Sequence, residues 1–99
     1  MTTYDPPLEP GIAAAVHALN DIGVTTFTSC EGGPGHPFPE PTVRFYGDPV
    51  TAELAAATVI LAGLPAHELR RVWALAESPP HPFWEIVFFK EELCHTKQR

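Results

Sequence analysis

Apolar positions at the start of the chain recur at helical spacing. Ile12, Val16, Leu19 and Ile22 fall on one stripe of residues 10–22, with Pro10 suited to the first turn and Gly23 to a left-handed cap. The pattern then switches to period two over residues 24–30, which are rich in β-branched side chains. Residues 42–46 alternate again. Asp48 and Pro49 read as the cap and first residue of a second helix, whose stripe is Val50, Leu54, Thr58 and Leu61. Gly63, Leu64 and Pro65 stop it. Residues 70–77 read as a third strand, ended by Ser78-Pro79-Pro80, and the aromatic run 83–90 as a fourth.

The predicted order is α-β-β-α-β-β, an α+β two-layer sandwich with two helices on one face of a mainly antiparallel four-stranded sheet. Residues 1–99 form a single domain in this reading, with 1–9 a Pro-rich arm, 10–90 the core and 91–99 a polar tail or short helix. Alternation assigns Ile12, Val16, Leu19, Phe27, Val43, Phe45, Leu54, Thr58, Leu61, Val72, Ala74, Trp84, Ile86 and Phe88 to the interior. It leaves Thr26, Thr28, Cys30, Arg44, Tyr46, Arg71, Trp73, Leu75, Glu85, Val87 and Phe89 on the outer face. Trp73, Leu75, Val87 and Phe89 together would exceed the apolar patch that monomers tolerate, so a homodimer through the outer sheet face is expected.

Composition narrows the function classes. The 99 residues carry 6 Lys and Arg against 12 Asp and Glu, a formal charge of -6. Such a surface repels a phosphate backbone, and the densest basic pair is Arg70-Arg71, so nucleic acid is an unfavoured partner. The apolar stretches are shorter than the roughly 20 residues that cross a bilayer. The first ten residues lack a cationic start and a leucine-rich segment, so a cytoplasmic protein is expected. Two widely spaced cysteines, Cys30 and Cys94, read as reduced thiols.

The segment 31–41 contains four prolines and three glycines where a turn of about 2–5 residues would join two strands. Cys30 sits at the strand end before it, and His36 is close enough in sequence to reach back toward the thiol. Glu31 and Glu40 are candidate orienting or ligating carboxylates. Gly32, Gly33 and Gly35 offer N–H groups as an anion nest. Four readings follow. Cys30 is a small buried side chain and the prolines stiffen a long connection. Alternatively, Cys30 is a nucleophile with His36 as base and the glycine N–H groups stabilising developing charge. A metal site would use Cys30 and His36, completed by His81, Cys94 or His95, without the ligand spacing of known zinc motifs. Lastly, Phe38 and the prolines line a groove for a peptide or small ligand. Arg44 faces Glu85 as a cross-strand pair. No Walker-type or dinucleotide glycine motif occurs, and no cofactor is called for.

The run Thr28-Ser29-Cys30-Glu31-Gly32-Gly33, then Gly35-His36 and Phe38-Pro39-Glu40-Pro41-Thr42-Val43, resembles a small bacterial protein family with a Ser-Cys-Glu-Gly-Gly-x-Gly-His motif. Gly63-Leu64-Pro65, Leu69-Arg70-Arg71-Val72-Trp73 and Phe83-Trp84-Glu85 belong to the same pattern, so the resemblance covers nearly the whole chain. It implies no activity. The expectation is therefore a small binding domain for a ligand, such as a small anion, or for a partner. Its site is the 30–40 loop with Arg44, and a thiol enzyme or a metal-binding protein is the alternative.

Overall fold

A computed structural model describes residues 10–75 and 81–89. Its elements are α1 (Pro10–Asp21), β1 (Thr26–Cys30), β2 (Thr42–Phe45), α2 (Pro49–Leu61), β3 (Ala66–Ala74) and β4 (His81–Phe88), in the expected α-β-β-α-β-β order. The strands form one antiparallel sheet ordered β1-β2-β4-β3. The expected arm 1–9 and tail 91–99 lie outside the described residues.

Both helices end in the same way for the same chemical reason. Gly23 and Gly63 adopt φ of 85° and 82°, which a residue with a Cβ resists. The next residue then donates its N–H back to the last turn, Val24 to the Leu19 carbonyl and Leu64 to the Val59 carbonyl, each at 3.0 Å. Val24 is buried and Leu64 packs on the core, so each cap also sends an apolar side chain inward. At the start of α2, Asp48 Oδ1 accepts the Thr51 N–H at 2.8 Å. That bond holds the Asp48 carboxyl below its ordinary range. A carboxyl lowered on folding stabilises the fold above its unfolded pKa, and the contribution fades as pH falls through the folded value. Asp48→Ala should therefore lower the urea midpoint at pH 7, and the deficit should shrink in the acid range.

The core lies between the helices and the sheet: Ile12, Ala15, Val16 and Leu19 from α1, Ala52, Ala55 and Val59 from α2, and Val43, Phe45, Ile86 and Phe88 from the strands. The α2 stripe differs from the expected one. Val50, Leu54 and Leu61 point to solvent, Leu61 at 86% exposure, while Ala52 and Ala55 face inward. This helix is apolar on every side, so periodicity alone leaves its rotation open. Small side chains on the inner face let its backbone lie close to its neighbours. Thr58 is only half-buried.

Register corrects the assignment of the sheet faces. Thr26 pairs with Phe45 and Thr28 with Arg44, so β1 has one residue more than β2 at that step. This bulge takes Phe27 out of the interior, and it stacks on Tyr46 with ring centroids 4.4 Å apart. In β3, Val72 pairs with Phe83 and Ala74 with His81 on the outer face, not the inner one. Arg71 lies on the helix side with Trp84, its Cζ 4.7 Å from the ring centroid, and alternation puts Trp73 there too. Trp73 and Val87 therefore occupy opposite faces, and Val87 is buried. Leu75 follows the end of β3, and Phe89, past β4, packs on His67 with ring centroids at 4.3 Å. These four residues make no common outer patch, and the dimer expected through one loses its basis.

Candidate functional site

Three strands place one charged row on the outer face. Arg44 of β2, Glu85 of β4 and Arg70 of β3 are direct cross-strand partners. Glu85 is 2% exposed, and an ionised carboxylate that deep needs partners. It has two: Arg44 Nε donates to its Oε2 at 2.8 Å, and an Arg70 terminal nitrogen donates to its Oε1. The bond and charge of Glu85 push the Arg70 guanidinium further up from its already high pKa. No buried side-chain polar atom lacks a partner among the described residues.

Arg44 also meets two aromatic rings. Its Cζ lies 4.6 Å from the Phe38 ring centroid and 4.7 Å from that of Phe83. Phe83 in turn meets Phe27 edge-on at 5.3 Å, and Phe27 stacks on Tyr46. A continuous path of rings and one guanidinium thus runs from the 31–41 loop across the outer face. Phe27 and Tyr46 are about half exposed at its open end. Among the described residues, the terminal nitrogens of Arg44 have no hydrogen-bond partner.

The loop is tied down along its length. Pro34 and the left-handed Gly35 form the two middle positions of a turn closed by the His36 N–H on the Gly33 carbonyl at 3.1 Å. The Gly33 N–H is shared between the Phe38 and Pro39 carbonyls, both at 3.1 Å. Glu31 Oε1 accepts the Gly11 N–H at 2.9 Å, where the start of α1 favours a negative charge, and its Oε2 lies 3.5 Å from His36 Nε2. Glu40 reaches His67, the extra residue of a bulge in β3, at 3.2 Å. Thr42 Oγ1 donates to the Glu40 carbonyl at 2.8 Å.

The expected site residues therefore divide into groups. Glu31 and His36 meet, and the Cys30 thiol, 3% exposed, accepts the Gly32 N–H at 3.4 Å. Phe38 and Arg44 meet over the sheet, and Glu40 lies with His67. The anion nest is not assembled, because the Gly32 and Gly33 N–H groups bond within the loop. Among the described residues no three His, Cys, Asp or Glu side chains converge as metal ligands. Cys94 and His95 lie outside those residues, and His81 sits near Tyr46 with ring centroids at 6.5 Å. Arg70, Phe83 and the Phe27–Tyr46 pair join this candidate site without a local sequence signal. Placing Arg70 opposite Glu85 requires the β3–β4 register, and exposing Phe27 requires the bulge.

No family model matches the chain, and no curated protein or solved structure matches it. No described helix is long and apolar enough to cross a membrane.

Proposed function

We propose that the protein is a small ligand-binding domain whose outer sheet face takes a small organic anion carrying a flat ring. One observation carries the reading: an arginine in contact with two aromatic rings, with its Nε on a buried carboxylate and its terminal nitrogens without partners among the described residues. A fixed guanidinium fork matches a carboxylate or phosphate and loses little side-chain entropy on binding. The neighbouring Phe27–Tyr46 pair offers ring faces and edges to the rest of the ligand. A buried free thiol at Cys30 suits the reducing bacterial cytoplasm.

Magnitude decides the assay. A charge-assisted contact contributes about 1.5–3 kcal/mol and an aromatic pair about 0.5–1.5, about 2–4.5 kcal/mol together, or a Kd in the millimolar range. Amide chemical shifts titrated with 4-hydroxyphenylacetate, benzoate and phenyl phosphate should move at Arg44, Phe38 and Phe27. Arg44→Lys should weaken the response at least about tenfold, because an ammonium cannot reproduce the fork. If none of these probes shifts those residues at millimolar concentration, the reading is wrong.

A second reading, a thiol enzyme with Cys30 as nucleophile and His36 as base, is favoured by the Glu31–His36 pair, which would orient the ring. Burial of the thiol weighs against it. In a Cys94→Ser variant, Cys30 should alkylate with iodoacetamide more slowly than a free cysteine peptide. Labelling faster than that peptide, and slowed by His36→Ala, would favour the enzyme instead.

A further inference from the structure

Among the described residues the sheet ends on β3, the longest strand at nine residues, which is hydrogen-bonded to β4 on one side only. An edge of this length offers a row of N–H and C=O groups to a further strand. The middle of β3, His67 through Arg71, is exposed throughout. Its bulge falls early, between Ala66 and Glu68, so residues 68–74 run in regular register with β4.

We propose that two copies of the chain join their β3 edges antiparallel about a twofold axis at Leu69, extending the four-stranded sheet to eight. Charge selects this register. With the axis at Leu69, Glu68 of each copy stands opposite Arg70 of the other, and two leucines meet at the centre. Moving the axis to Glu68, Arg70 or Arg71 sets like charges against each other. Moving it to Val72 leaves Glu68 opposite no strand residue and shortens the overlap from residues 66–72 to 70–74. Glu68 is free to serve both copies. Its contact with Arg70 of its own strand is long, 3.8 Å, and both side chains are about half exposed. The closed twofold pairing also removes the edge that would otherwise recruit further chains. The outer-face ligand site is not required for this pairing.

Sedimentation equilibrium from micromolar protein upward should show a particle near twice 10.8 kDa. Glu68→Arg places one arginine opposite the Arg70 of each partner, two like-charge pairs per dimer, and should raise the dimer dissociation constant about 100-fold, with the circular dichroism spectrum unchanged. Leu54→Glu, on the exposed face of α2, should leave the dimer intact. Hydrogen exchange should show edge amides in residues 68–72 protected in wild type and unprotected in Glu68→Arg. A wild-type monomer at every concentration, or a dimer that survives Glu68→Arg, overturns the proposal. Loss of the dimer in Leu54→Glu would move the contact to α2.

Discussion

Replacing both arginines of the outer row, Arg44→Met with Arg70→Met, is expected to destabilise the fold by about 3–5 kcal/mol in urea denaturation. Adding Glu85→Leu to that pair should recover most of the loss. The reason is the uneven burial of the row. Glu85 is 2% exposed, whereas the Arg44 and Arg70 side chains are 27% and 52% exposed. Removing the cations strands the one charge that cannot reach water, and a stranded buried charge is what makes such substitutions costly. Removing the carboxylate as well leaves three apolar side chains on a face that already has Phe83 and Val87 beside them. Arg70→Met alone should cost about 1 kcal/mol or less, because an exposed partner contributes little and Arg44 remains. For a domain whose total stability is of the order of 5–15 kcal/mol, the double variant should be near the edge of folding at 37 °C. A triple variant no more stable than the double would show that the loss came from packing of the arginine stems, not from the carboxylate.

What the sequence discloses follows from where its signals are strong. Element order is legible because Gly23, Gly63, Pro49 and the 31–41 run are chemically unambiguous punctuation. The inner faces of β2 and β4 are legible because Arg44 between Val43 and Phe45, and Glu85 before Ile86, set the phase of each strand, which Phe88 continues. Three features are not. The rotation of α2 is hidden because alanine fits either side of a helix, so Leu54 looks internal when it is not. Phe27 is hidden because a bulge shifts the faces by one residue and leaves no mark in composition. The β3 face is hidden because apolar residues fill both phases of its run, Val72 and Ala74 against Trp73 and Leu75, and only pairing with β4 puts Trp73 on the helix side. In the site, Arg44 and Glu85 are legible as a pair, but Arg70 enters only through the long-range pairing of β3 with β4. Local pattern places residues along a strand, while the partner across the sheet is set by tertiary register.

Gly32→Ala is expected to cost about 2–5 kcal/mol, and Gly35→Ala only about 1–2, although both glycines lie in the same loop with φ near +80°. Both substitutions force a left-handed backbone on a residue with a Cβ. Only one of them also meets an obstacle. A Cβ on Gly32 would lie 2.3 Å from the Glu40 carbonyl carbon and 2.6 Å from the Pro41 nitrogen, both backbone atoms that no rotamer change can move. A Cβ on Gly35 meets nothing within 4 Å. Gly32 is therefore where the two ends of the loop touch, two residues past the Cys30 strand end. Pushing them apart should disturb the Thr42–Glu40 bond and lift Phe38 from Arg44, so Gly32→Ala should also weaken the anion response while Gly35→Ala retains it. Urea denaturation and the same chemical-shift titration read the two effects separately. Equal losses for both variants would mean that the loop closes without that contact, and that the guanidinium owes its position to Glu85 and Phe83 alone.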